Sequence, residues 1–507
     1  MTFRAPSLLT FSTANVFLSG PVVAQLDPQG RIAVTLPATD AGGMDPSDWS
    51  YVVTEQLVGV GSNRPPFNIL LPAAQADVDL DDIAPSDPTK PNYLAVAGPP
   101  GPQGVQGPQG IQGPAGPSNT RWRRRDLPDP ITADALYAGT APVITTALGT
   151  TPTAGYVRHV PNPITLAGGE VRGAFTFVGA GGFLAGTVTP DTQYVLPTSR
   201  YPNTYASGQS VWAVEFGTDT RYLQVRFKHI SAASHFRLSI DGRKVSDLAQ
   251  PGGGTTAGSG HLITIDLGSA APRVIRLDFT TMPFGGVYLP PSAWMWRVPT
   301  QGGRLGVLGD SISDGSAHNT GGGIGTWVHR AARLLGTTDV WEQGRGATGY
   351  CAPGTSANFG TRAPADIIGW GFDRLLIWGG YNDVGGFDQA VIRAAADALY
   401  AQIKTGLPAC ETTVIGCWAP TGTPAPSIVA TDETLRAAAA AAGLPFVSPV
   451  TGTIYSATGQ AVVSHGQWIT TGNASTYVGT DNVHPTDAGH LYISRRIVAA
   501  LRELLPA

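Results

Sequence analysis

Residues 305–313 read Leu-Gly-Val-Leu-Gly-Asp-Ser-Ile-Ser, and their reading decides the fold of the second half of the chain. The apolar run 305–308 reads as a strand, and Gly309, Asp310 and Ser311 turn directly out of it. A serine in a tight strand-to-helix turn has an exposed hydroxyl. Its backbone N–H points to where an oxyanion would form, near a helix start. Alone, this is weak evidence, because serines in loops are commonly caps or turn residues.

Working outward, strand and helix patterns alternate from 304 to the end. Helices are expected at 327–335, at 388–404 with Asp388 as cap, at 432–442 and at 486–504. Strands are expected at 339–341, 375–378, 412–417 and 445–447. Such alternation predicts a parallel sheet in a three-layer α/β domain, 304–507. The turn at Ser311 is not a G-x-S-x-G elbow, so a generic α/β-hydrolase is not indicated.

Upstream, 131–303 is β-rich. Segments 210–216, 222–227, 235–240, 262–266 and 273–279 alternate apolar and polar residues, the period of half-buried antiparallel strands. A β-sandwich is expected, serving as a carbohydrate-binding module or a spacer. Residues 98–117 carry glycine at every third position from Gly98 to Gly116. Only glycine fits the axis of a collagen triple helix, so seven strict triplets predict a collagen-like rod about 60 Å long and a homotrimer. Residues 1–85, with β-like runs at 31–36, 49–54 and 67–71, predict a small N-terminal β-sandwich. A linker at 86–97 leads into the rod, and a basic collar at 118–130 follows it.

Composition narrows the function classes. The 507 residues include 65 Gly and 42 Pro, too few for a collagen throughout. A net charge of −4 gives no global attraction to nucleic acid or anionic membrane. Cys351, Cys410 and Cys417 form neither a disulfide framework nor a paired metal spacing, so no metal or cofactor is expected. The segment 7–26 is too broken to read as a signal peptide, and no apolar run is long enough for a membrane span.

Three further blocks accompany Gly309–Ser313. They are Gly344–Tyr350, then Gly379-Gly-Tyr-Asn-Asp383, and finally Asp481-Asn-Val-His-Pro485 with Asp487-Ala-Gly-His490. In this order the four blocks resemble the SGNH (GDSL-type) hydrolase superfamily, over about 304–507. The resemblance implies Ser311 as nucleophile, His484 as general base and Asp481 as the carboxylate that orients the imidazole. It implies an oxyanion hole from the Asn382 amide and the N–H groups of Ser311 and of Gly346 or Ala347. Two departures stand out: Glu342 where the family usually has Asn, and Ala347 where it commonly has the oxyanion Gly.

Asp310, Tyr381, Asp383 and Trp468 are candidate pocket residues, with His465 beside Trp468 and Cys351 as a possible pocket wall. Asp314 and His318 lie near Ser311 in sequence and could line the mouth of the site, with a structural place in a Gly-rich loop favoured, and His490 reads as a residue that packs or caps the last helix. The order of parts resembles bacteriophage tail fibre or minor tail proteins. That resemblance implies a virion tail protein whose N-terminal domain attaches to tail or baseplate proteins. Its head would remove O-acyl, chiefly acetyl, groups from host envelope polysaccharide. The alternatives are a receptor-binding fibre that binds glycan without turnover, and a bacterial surface esterase on a collagen-like stalk.

Overall fold

The computed structural model describes most of 133–505, omitting 188–189, 202–210, 231–233, 255 and 316–317. Ahead of these it describes 1–5, 9–11, 16–18, 21–27, 32–41, 44–45, 49–55, 66–74, 123–124 and 127–129. The Gly-X-Y run and the linker at 86–97 lie outside the described residues. The chain divides into two compact units, Met1–Gln109 and Gly110–Ala507.

In the first unit, Val22–Val23, Thr2–Arg4, Tyr51–Thr54 and Phe67–Ile69 form one antiparallel sheet. Val16–Leu18, Leu9–Phe11 and Met44–Asp45 form another. A small core gathers Phe3, Trp49, Tyr51, Val53, Phe67 and Ile69. The described part of the run expected at 31–36, residues 32–36, forms no strand. Ile32, Val34 and Leu36 do pack against the core, but the segment joins no ladder. Alternation reports which side chains are buried; it does not supply a partner strand.

In the second unit, Tyr222–Lys228 lies between Phe284–Leu289 and Gly260–Asp266 in one sheet. Arg273–Thr280 lies between Trp212–Thr218 and His235–Ile240 in another. Leu223, Val225 and Phe227 from the first sheet meet Ile275, Leu277 and Phe279 from the second in one apolar core. This is the sandwich that the alternating pattern predicts.

The α/β sheet runs in the order Val340–Gly344, Leu305–Gly309, Arg374–Trp378, Glu411–Ile415, Phe446–Val447, with these five strands parallel. An antiparallel hairpin, Thr453–Tyr455 and Ala461–Ser464, extends the far edge. All residues of the edge strand Val340–Gly344 and of its neighbours Leu305–Gly309 and Arg374–Trp378 are buried, as expected for a sheet covered on both faces. Asp388 is the N-cap residue of Gln389–Gly406, as expected, through its carbonyl and without a side-chain bond. One helix reading needs correction. The Ala-rich helix runs Pro426–Ala442, starting at a proline, which is pre-set for the first helical turn. Asp432 is therefore an interior residue. It is buried and accepts the Cys417 N–H at 2.9 Å and the Ser448 hydroxyl at 2.7 Å.

The outward face of the second sandwich sheet is not solvated. Helix Trp327–Leu334 turns Trp327, Val328 and Ala331 into the α/β core and its His329, Arg330 and Arg333 toward sandwich carboxylates. Arg330 meets Asp247 at 3.2 Å and Arg333 meets Asp134 at 3.7 Å. Arg276 holds Glu215 and Asp278, each at 2.8 Å, and donates to the Thr338 carbonyl at 2.8 Å. Sandwich and α/β layers thus share a buried charged seam.

Burial alone would raise the Asp278 carboxyl, but Arg276 and Arg237 outweigh it and hold it well below its ordinary value of 3.8. Its stabilising contribution is therefore full above about pH 4 and is lost as pH falls below that. Asp278→Ala leaves two buried guanidinium groups short of a carboxylate. It should destabilise the protein by about 3–5 kcal/mol at pH 7, with a smaller loss at low pH. Denaturant unfolding of the full chain checks this; a change within 1 kcal/mol of zero at pH 7 would contradict it.

Candidate active site

The strand order places Leu305–Gly309 between the strand that follows it in the chain and the one after that. Ligands in open α/β sheets bind beyond the carboxyl ends of strands at such a switch point. Three of the four sequence blocks leave these strand ends: 310–315, 345–352 and 379–383. The fourth, 479–486, leads into helix Asp487–Leu504, which Thr486 caps through Gly489 N–H.

Ser311 and His484 are brought together from 173 residues apart. Ser311 Oγ lies 2.9 Å from His484 Nε2, and His484 Nδ1 lies 2.6 Å from Asp481 Oδ2. An ionised carboxylate only accepts, so Nδ1 carries the imidazole proton and Nε2 accepts from the Ser311 hydroxyl. Asp481 Oδ1 also accepts the N–H groups of Val483 and His484, each at 3.0 Å. Its slight burial would raise the carboxyl; these hydrogen bonds, the His484 side chain first, hold it well below the usual range. Asn482 adopts a left-handed φ of 58° that folds this turn. The arrangement can pass a proton from the hydroxyl to the imidazole while Asp481 stabilises the resulting charge.

Around Ser311 the helix is only one turn, Ser311–Asp314, ended by Gly315. The helix start anticipated for oxyanion stabilisation is therefore slight. The N–H groups of the second block give the stronger signal. Arg345 donates to Gly309 O, Gly346 to Asp314 Oδ2, Thr348 to Arg345 O and Gly349 to Ala352 O. Tyr350, Cys351 and Ala352 all donate to the Asp383 carboxylate. From 345 to 352, among the described residues, only the Ala347 N–H has no acceptor. Gly346 is thus corrected as a donor, since its N–H is held by Asp314 at 3.0 Å. Ala347 sits at φ 61°, an uncommon conformation for a residue with a Cβ. Asn382 Nδ2 donates to Thr348 O at 2.9 Å and keeps a second N–H on the same nitrogen.

Three pocket candidates prove to be scaffold. Asp383 is fully buried and gathers three N–H groups at 2.8–2.9 Å. A Cβ on Gly349 would lie 2.4 Å from its Oδ2, so the loop approaches this closely only with glycine there. Asp310 is buried and caps Ile312 N–H at 2.9 Å; burial pushes its carboxyl up to about 7, with Asp383 adding to the rise. Trp468 is buried against Trp378, ring centroids 5.8 Å apart. Tyr381 is half-buried and close enough to Asp481 for that carboxylate to help raise its hydroxyl, after burial and Cys417.

The remaining residues also find places. His465 is exposed in the turn after Ala461–Ser464. His490 is buried and accepts the Trp327 N–H at 3.2 Å, so it serves a different helix from its own. Cys351 is half-buried and its thiol is pushed up to about 11 by burial and Asp383, which disfavours a thiolate. His318 Nε2 stands 3.4 Å from Asp481 Oδ2, and Thr320 is fastened to Asp487 by two bonds of 2.9 Å. Sequence reasoning missed Arg200, which meets Asp314 at 2.9 Å from 114 residues away. No local pattern marks such a contact. Glu342 turns one oxygen onto Gly344 N–H, while its other, buried oxygen has no partner. Among the described residues, no group of His, Cys, Asp and Glu is placed to hold a metal, and no helix is long and apolar enough to cross a membrane.

No curated protein matches this chain. Its fold is similar to that of a salicylyl-acyltransferase, SsfX3, from a tetracycline biosynthetic pathway. The TM-score is 0.51 at 14% identity, over 69% of this chain and 98% of that one. That coverage exceeds the α/β layers alone, so the likeness takes in part of the sandwich. Weaker likenesses are a family two carbohydrate esterase from Clostridium thermocellum (TM-score 0.45, 13% identity, 64% and 98% covered) and a GDSL-like lipase from Bacteroides ovatus (0.42, 12%, 66% and 98%). Residues 307–491 match the GDSL-like Lipase/Acylhydrolase family. With its four blocks converging on Ser311, the C-terminal part of the chain is a GDSL/SGNH-type hydrolase domain.

Proposed function

We propose that the chain is a serine ester hydrolase whose nucleophile is Ser311. The observation that carries this reading is the continuous chain Asp481–His484–Ser311, with bonds of 2.6 and 2.9 Å. Ser311 Oγ attacks the acyl carbonyl as His484 Nε2 takes its proton. The oxyanion is held by the N–H groups of Ser311 and Ala347 and the second N–H of Asn382. His484 returns the proton to the leaving alcohol, and water then releases the acid from the acyl-enzyme by the same steps. The favoured substrate class is O-acyl, chiefly acetyl, esters of a cell-envelope polysaccharide.

The test is turnover of p-nitrophenyl acetate, followed by acetate release from envelope polysaccharide. Ser311→Ala should lower kcat by roughly 10³-fold or more, and Asn382→Ala by roughly 10²–10³-fold. Turnover unchanged in Ser311→Ala would overturn the assignment. A wild-type protein that binds the polysaccharide but releases no acetate would make the domain a binding module.

We also propose that the chain is a trimeric tail fibre or minor tail protein of a bacteriophage, attached through its N-terminal part. The support is the order of parts and the seven Gly-X-Y triplets from Gly98 to Gly116. Light scattering of the full-length protein should give three times the 52.6 kDa chain mass. A monomeric mass would contradict the trimer.

A further inference from the structure

We propose that Arg200, carried by the β-sandwich, is a positioning residue for the oxyanion loop and acts through Asp314. The inference rests on the hydrolase reading above and adds a residue from outside the hydrolase domain to its site.

Asp314 divides its carboxylate between two partners. Oδ1 accepts from Arg200 Nη2 at 2.9 Å, and Oδ2 accepts from Gly346 N–H at 3.0 Å. Gly346 immediately precedes Ala347, whose N–H is the one left for an oxyanion, and a Cβ on Gly346 would sit 4.0 Å from Ser311 Cβ. A shift of this peptide therefore moves the donor relative to the nucleophile. Neighbouring contacts anchor the same seam: Ser199 O accepts from Gln343 Nε2 at 3.1 Å, Tyr201 O accepts from Arg345, and Tyr201 N–H donates to Asp366.

Charge explains why Asp314 needs the arginine. The Asp314 side chain is 34% exposed, so water competes for it, whereas that of Arg200 is only 4% exposed. Behind them stands Glu342, whose carboxyl burial pushes up to about 7 against the pull of the Arg200 charge, with Asp366, Arg345 and Arg362 completing the cluster. With Arg200 in place, its guanidinium is bonded to Asp314 and its charge also favours the Glu342 carboxylate. Without it Asp314 loses its bonded guanidinium, water takes over the carboxylate, and Gly346 N–H loses its acceptor. The cost falls on the transition state, because the bound ester does not yet carry the full oxyanion charge.

The experiment is steady-state turnover of p-nitrophenyl acetate by the full-length protein, with thermal unfolding of each variant. Arg200→Met should lower kcat about 10–100-fold while KM stays within about 3-fold, since a misplacement near 1 Å carries such a cost. Asp314→Ala should show a loss of the same size. The double variant should be no more than about 3-fold worse than either single one, because both act on one peptide. Arg200→Lys, which keeps the charge, should recover part of the rate.

Wild-type kcat in a folded Arg200→Met protein, or losses that multiply in the double variant, would overturn the proposal. If Arg200→Met does not fold, Asp314→Ala decides: wild-type kcat there overturns it equally. Ser311→Ala is the control that separates the two claims. Wild-type turnover that survives Ser311→Ala defeats the hydrolase reading itself. Turnover that depends on Ser311 but not on Arg200 or Asp314 defeats only this inference.

Discussion

The 2.9 Å hydrogen bond between Ser311 and His484 joins residues 173 positions apart, and the rest of the domain serves to keep it closed. Each partner sits on a short, tightly turned segment with little intrinsic stability. Ser311 is on a one-turn helix and His484 in a loop turned at Asn482. Neither segment would hold its geometry alone, since isolated short helices and turns are marginal. The parallel sheet fixes where the segments begin and end, and side-chain to backbone bonds fix the rest. Trp418 Nε1 donates to Val483 O at 2.8 Å, and Asp481 takes two N–H groups of its own turn.

Acidic side chains, most of them buried, act as organisers in this architecture. Asp310, Asp314, Asp383 and Asp432 each accept at least one backbone N–H near the carboxyl ends of the strands. A buried polar group left unpaired is costly, so a carboxylate that satisfies several N–H groups fixes a loop strongly. The consequence for the site is selective. Once Asp383 and Asp314 have engaged their neighbours, the N–H left over in the second block is that of Ala347. The loop's oxyanion-binding capacity is thus a residue of its hydrogen-bond accounting.

The strands and chemical blocks of the α/β domain were legible because their signals are local. An apolar run followed by Gly-Asp-Ser, or Asp and His three residues apart, needs only its own neighbourhood. What covers a face is not local. The alternation in 273–279 correctly separates Ile275, Leu277 and Phe279 from Arg276 and Asp278, but it reads the second set as solvated. In the structure that set is a buried seam with the hydrolase layers. The acidic residues beside Ser311 were legible as close to the site, and their role was not. Asp310 and Asp383 point into backbone that no pattern of side chains describes. Arg200 carries no motif at all, and only the packing of the sandwich on the α/β layers brings it to Asp314.

The most direct test is covalent labelling of the full-length protein with a fluorophosphonate, followed by peptide mapping. Ser311 is the activated hydroxyl in this account. A single adduct on Ser311 is therefore expected, and His484→Ala should abolish it. An adduct on a different residue, or labelling of Ser311 that persists unchanged in His484→Ala, would contradict the account.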